Sequence, residues 1–395
     1  MIAATGLTAA AAPFARPARL LNVAADGSLS HLPRTALADL FAAGDLVVAN
    51  DAATLPASLA GIHLASGRPI EVRLAGWVKL GDPGGFIAVA FGAGDHRTRT
   101  EDRALPPPLA RGDRLQLGND AAELRQAGAS WRAPAVAPLI AVVESVLDHP
   151  RLVRLGFPGR RAVVLAGLAE HGRPIQYAHV AKPLAMWDVW TSIAAEPAAF
   201  EPPSAAFAID WRTLHAWQAR GVAFATLTHA AGISSTGDAA LDARLPFDEP
   251  YRIPERTAAA INAAKSRGRR VIAVGTTVVR ALEFAAGDDG AVRPGPGVAT
   301  GRIGPDTRLQ VVDAILTGVH QPGESHFELL RAFAADALLD RISAAFIAGD
   351  YLAHEFGDSM LLEREARSAA ISRGLRLDGA PKIRSRQFAA SGLKL

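Results

Sequence analysis

The chain has 395 residues, 49% of them apolar and 21% charged, with a formal net charge of +3 and no cysteine. That length and composition suit a soluble globular enzyme with two cores. Without cysteine there are no disulfides, thiolate zinc sites, iron–sulfur clusters or cysteine nucleophiles, and a reducing, cytoplasmic setting fits.

The alanine-rich start lacks the charged and apolar blocks of a signal peptide and reads as a loose arm. No run approaches the roughly 18 apolar residues of a membrane helix. Residues 35–43 read as a short helix and Asp45–Asn50 as a buried strand. From Gly61 to Leu117, short alternating runs (Ile70–Leu74, Phe86–Phe91, Arg114–Leu117) sit between Gly, Pro and Asp turns, the pattern of a small antiparallel barrel or sandwich. Ala141–Leu147 reads equally as strand or helix.

Beyond it, helices and strands alternate, which predicts a mixed α/β layer. Trp211–Arg220 is a predicted helix capped by Asp210, and Val222–Thr228 a strand. Pro254 opens a helix that Gly268 closes. Arg270–Gly275 and Leu309–Val312 are predicted strands, Asp288–Gly297 a turn-rich loop, and Ser325–Ala335 and Ala337–Ala348 helices. The basic clusters Arg160–Arg161, Arg267–Arg270 and Lys382–Arg386 are either solvated faces or phosphate contacts.

Val271–Glu283, VIAVGTTVVRALE, carries the most chemistry. An apolar strand stops at Gly275, two threonines follow, and a helical pattern begins. Such a turn points free N–H groups and two hydroxyls at one spot, either an anion site or simply a well-capped helix. Together with VVDAILTGVHQPGESHFELLRAFA from Val311, YLAHEFGDSMLL from Tyr351, GDLVVANDAATLPASLAG from Gly44 and IEVRL from Ile70, it resembles the S-adenosylmethionine:tRNA ribosyltransferase-isomerase family of queuosine biosynthesis. The likeness runs over nearly the whole chain and is densest in its C-terminal third.

The resemblance implies a barrel-like mixed α/β body, residues 1–57 and 151–395, carrying an inserted small antiparallel β-barrel at 58–150. It implies transfer of the ribosyl part of S-adenosylmethionine to a deazaguanine base in tRNA, with rearrangement of the ribose and release of adenine and methionine. S-adenosylmethionine is then a substrate, tRNA a partner, and no metal or membrane is needed. His320 is the leading acid/base candidate, with Asp313 as its orienting carboxylate or a ribose acceptor, and Glu249 a retained catalytic carboxylate. Asn50, Asp51, Gly275, Thr276, Thr277 and Thr317 are substrate-binding candidates. Glu283 either pairs with Arg280 or, like it, reaches the ligand. Tyr351 stacks on a base or packs, and Asp358 binds ligand or closes a turn.

The sequence also departs from the family. Ala53 and Ser58 replace two arginines, Ala208 and Phe247 stand at histidine positions, and His229 is one place out of register. These losses leave two other readings: a paralogue that uses S-adenosylmethionine with a small-molecule acceptor, and a non-catalytic nucleoside- or RNA-binding protein.

Overall fold

In the computed structural model the described residues are 7–9, 18–118, 137–354 and 356–365. Expectations for the rest of the amino-terminal arm and for the cluster Lys382–Arg386 lie outside them.

Strand β1 (Leu7–Thr8) is followed by the hairpin β2 (Arg19–Val23) and β3 (Leu29–Pro33). A 3₁₀ turn at Arg34–Asp39 takes the place of the expected helix at 35–43. Strand β4 (Leu46–Asn50) is buried along its length, as its unbroken apolar run requires, and β5 (Ala52–Thr54) comes directly after it.

Six strands then close a barrel: β6 (Ser58–His63), β7 (Arg68–Trp77), β8 (Gly85–Phe91), β9 (Arg114–Leu117), β10 (Leu139–Val146) and β11 (Leu152–Gly156). They run in the order β10-β11-β8-β7-β6-β9, every neighbour antiparallel. The ambiguous Ala141–Leu147 is thus strand as far as Val146. Closure leaves no open edge, and alternating side chains such as Leu59, Val72 and Phe86 fill the core.

Helix α1 (Arg161–His171) and strand β12 (Glu196–Ala199) lead back to the larger sheet. Helix α2 (Trp211–Ala219) starts where expected: Asp210 accepts the Thr213 N–H at 2.7 Å. Then come β13 (Ala223–His229), α3 (Ala239–Asp242), β14 (Glu249–Ile253), α4 (Glu255–Ser266), β15 (Val271–Val274), α5 (Thr276–Ala285), β16 (Gly295–Ala299) and β17 (Ala314–Gly318). The chain continues through α6 (Ser325–Leu330), α7 (Asp336–Ala348), β18 (Leu352–Ala353) and β19 (Ser359–Glu363).

Nine of these strands form one mixed sheet in the order β16-β14-β13-β4-β15-β17-β19-β2-β3. Helices α4 to α7 cover one face; α2 and the 3₁₀ turn, through Trp217 and Leu37, cover the other. Barrel and sheet belong to one compact unit, and Trp77 on β7 ties the barrel to β12, which pairs with β5, by donating to the Ala198 carbonyl at 2.7 Å.

Two expectations fail, each for its own reason. Leu309–Val312 is not a strand; the strand begins at Ala314. The N–H groups of Gln310, Val311 and Val312 bond to the Glu283 carboxylate at 2.7, 3.0 and 2.9 Å, which removes them from any ladder. Helix α6 ends at Leu330, and tighter turns carry the chain on to Phe333.

Candidate functional site

Strands β13, β4, β15 and β17 are parallel neighbours, so their carboxyl ends share one edge of the sheet. In open α/β sheets ligands gather outside that edge. Antiparallel β14 and β19 bring their amino ends, Glu249 and Asp358–Ser359, to the same edge.

At its centre the chain turns from β15 into α5. Gly275 has φ +90°, a conformation L side chains rarely adopt, so glycine is needed for the turn. Thr276 and Thr277 open α5, where the first-turn N–H groups have no helical acceptor. One strand away, Thr317 near the end of β17 shares a 2.8 Å hydrogen bond between its Oγ1 and Nε2 of His320. The other imidazole nitrogen, Nδ1, lies 3.7 Å from the Glu324 carboxylate. Burial alone would raise the pKa of Glu324, but the neighbouring His320 ring, the Gln321 N–H and the charge of His354 hold it below the usual range. His326 stacks on His320 with ring centroids 4.9 Å apart.

On the other side, Asn50 ends β4. Its Nδ2 donates to the His229 carbonyl at 2.9 Å, and its Oδ1 accepts the N–H groups of His229 and Ala52 at 2.9 and 3.1 Å. Asp51 accepts the Thr228 hydroxyl at 2.7 Å. Beneath them lies a buried ion pair. Arg280 donates to Glu249 and to the carbonyls of Ala299 and Gly301, at 2.9 and 3.1 Å for the last two. Glu249 also accepts the Gly232 N–H at 2.7 Å. Burial pushes the Glu249 pKa up, opposed by the Arg280 charge and the Gly232 N–H.

His229 is fully buried beside this pair, its ring parallel to Tyr251 and its Nε2 3.6 Å from Glu249, too long for a hydrogen bond. Burial and the Arg280 charge lower its pKa to about 3, so it is neutral near pH 7. Sequence reasoning treated His229 as a misplaced family histidine. Its position at the tip of an apolar strand was the available signal.

Tyr351 and Asp358 form a separate group near β2. Arg19 lies over the Tyr351 ring at 4.4 Å, and the Tyr351 hydroxyl meets His31 Nδ1 at 3.0 Å. Asp358 accepts the N–H groups of Arg19 and Leu352 at 2.8 and 2.9 Å.

Two candidates lie elsewhere. Asp313 precedes β17 instead of following a strand. It accepts from Lys265 at 3.0 Å, Arg364 at 3.2 Å and the Val271 N–H at 2.9 Å, all at the opposite edge. The four-residue rise from Asp313 to Thr317 is about 13 Å in an extended strand, so Asp313 does not orient His320; the carboxylate beside that ring is Glu324. Glu283 pairs neither with Arg280 nor with a ligand at this edge, its oxygens being taken by the 310–312 backbone. Of the two lost arginine positions, Ser58 stands in register opposite Arg73 on β7.

The sequence model of a family described as "Queuosine biosynthesis protein" matches residues 6–362. The chain is 33% identical over 374 residues to the S-adenosylmethionine:tRNA ribosyltransferase-isomerase of Acidiphilium cryptum, covering 90% of this chain and 95% of that protein. It is 32% identical over 355 residues to the enzyme of the same name from Thiobacillus denitrificans, covering 88% and 90%. Among solved structures, an S-adenosylmethionine tRNA ribosyltransferase from Thermotoga maritima aligns with TM-score 0.45 and 20% identity over 90% of this chain and 96% of that one.

Proposed function

This chain belongs to the queuosine biosynthesis protein family, and we propose that it transfers and isomerises the ribosyl part of S-adenosylmethionine onto a deazaguanine base in tRNA. Adenine and methionine leave in the reaction. The observation that carries this reading is the meeting, on one sheet edge, of the Gly275–Thr277 turn with the Thr317–His320 pair.

In this reading the substrate lies across the carboxyl edge. The first-turn N–H groups of α5 and the hydroxyls of Thr276 and Thr277 hold an anionic group of S-adenosylmethionine. Asn50 and Asp51 border it on one side, and Tyr351 and Asp358 limit it on the other. The sulfonium acidifies hydrogens on the neighbouring 5′ carbon, and His320 takes the proton there or returns one to the departing adenine. With Nδ1 protonated toward Glu324, Nε2 accepts from Thr317 until substrate displaces that hydroxyl. Glu249 and Arg280 are too enclosed to meet substrate and act by holding the 232 and 299–301 backbone beneath it.

The same proposal divides the chain into a body, expected at residues 1–57 and 151–395, and an inserted barrel, expected at 58–150, whose last strand β11 carries it on to Gly156; it places the reaction in the cytoplasm. No described helix is long and apolar enough to cross a membrane.

The test is incubation with S-adenosylmethionine, with and without tRNA bearing the aminomethyl deazaguanine, followed by mass spectrometry of adenine, methionine and RNA. Release that requires this tRNA, with a mass gain on the RNA, is expected. His320→Ala lowers turnover by about 10²–10⁴-fold, the range for general acid–base catalysis. Release without tRNA, or unchanged turnover in the variant, overturns the reading.

A further inference from the structure

Outside this site, three buried arginines crowd one aromatic ring. Arg73 on β7, Arg103 in the loop before β9 and Arg151 at the start of β11 are 1%, 3% and 5% exposed. Their guanidinium carbons lie 4.9, 5.2 and 5.1 Å from the centre of the Phe91 ring. Among the described residues, one carboxylate bonds to them: Glu71 accepts from Arg73 Nε at 2.8 Å and from Arg103 Nη1 at 2.6 Å, with Ser58 bonding the same carboxylate. Arg151 donates through Nη2 to the Arg103 carbonyl at 3.0 Å. Glu201 and Asp238 face the cluster from the body, but Tyr177 and the Ser234 N–H bond to the first, and His149 and the first turn of α3 to the second.

Four donor nitrogens of the cluster, Arg73 Nη1, Arg103 Nε and Arg151 Nε and Nη1, are buried with no hydrogen-bond partner among the described residues. A ring face offers a guanidinium weak, undirected attraction. It does not replace the directed acceptors that a buried cation needs. Three cations around one ring, with one contacting carboxylate among the described residues and four unmet donors, have the composition of an oxyanion receptor.

We propose that Arg73, Arg103 and Arg151 form a binding site for a small tetrahedral oxyanion of the phosphate class, set in the seam between the barrel and the body. The anion accepts from the four unmet donors as the guanidinium groups turn off the Phe91 ring, and Glu71 keeps Arg73 and Arg103 in register. The site is separate from the sheet edge assigned to S-adenosylmethionine and does not depend on that assignment.

The test uses the full chain and inorganic phosphate. Thermal unfolding is followed while phosphate replaces chloride at constant ionic strength, alongside ³¹P line widths. A saturable rise in Tm, on the order of 2–4 °C, with broadening of the ³¹P signal, is expected. Both are lost in Arg151→Met and partly kept in Arg151→Lys. Should Arg151→Met not fold, Arg73→Met gives the same comparison. Displacement of bound phosphate by an RNA stem-loop identifies the natural anion as an RNA phosphate, and persistence of the signal identifies a free anion. The proposal is overturned if the wild type shows no saturable response, or if the methionine variant responds equally, since the anion then binds elsewhere.

Discussion

Asn50 holds His229 by its backbone. The carboxamide at the tip of β4 donates to the His229 carbonyl and accepts its N–H, both at 2.9 Å, so one side chain locks the ends of two parallel strands. The site edge is thereby positioned from within the sheet.

Asn50→Ala leaves the N–H groups of His229 and Ala52 and the His229 carbonyl without this partner in a buried position. An unmet buried group costs about 1–3 kcal/mol. The expected loss is about 3 kcal/mol, read as a lower midpoint in urea with an unchanged m-value. A loss below about 0.5 kcal/mol would show that the two strand ends need no lock.

His229 makes stability depend on acid. Its pKa is lowered from an ordinary 6.5 to about 3 in the folded chain, so below pH 6.5 the unfolded chain takes up a proton that the folded chain refuses. Its contribution is complete above about pH 6.5 and is lost as pH falls toward 3, by at most about 5 kcal/mol. His229→Phe should flatten the pH dependence of chemical denaturation across that window. An identical slope in wild type and variant would remove His229 as its source.

The pair Arg280–Glu249 is expected to show strong coupling. Glu249→Ala leaves a buried guanidinium without its carboxylate, a change that costs about 3–5 kcal/mol in comparable pairs. The double variant Glu249→Met/Arg280→Met should be less destabilised than Glu249→Ala alone. Additive losses in a double-mutant cycle would contradict the pairing.

Glu283 anchors the approach to β17 through three backbone N–H groups. Glu283→Ala should lower stability by about 2–4 kcal/mol while calorimetry at low temperature shows unchanged affinity for S-adenosylmethionine. Weakened affinity in a folded variant would return this carboxylate to the binding site.

Much of this was legible in the chain itself. The apolar runs of β4 and β15 mark strands, the alternation at Ile70–Leu74 and Phe86–Phe91 marks a small antiparallel barrel or sandwich, and Asp210 marks the start of α2. Gly275 followed by two threonines marked the turn into α5, because that backbone conformation excludes other residues. These features are local: each follows from the periodicity or conformational limits of a few neighbouring residues.

What local pattern could not supply was which side chains meet across long stretches of sequence. Asp313 and His320 are seven positions apart and looked like partners, yet the intervening strand carries them to opposite edges of the sheet. Glu283 is a helix residue whose carboxylate is taken by a segment 27 to 29 positions later. Arg73, Arg103 and Arg151 come from three separate parts of the barrel region and share one ring because β7 and β11 both pair with β8, which carries Phe91. The sequence by itself determined the strands, the barrel signature and the Gly-Thr-Thr turn, because these depend on short-range sterics and apolar period. The tertiary structure alone decided the partners of each charge, because strand order and sheet direction place residues distant in sequence within bonding reach.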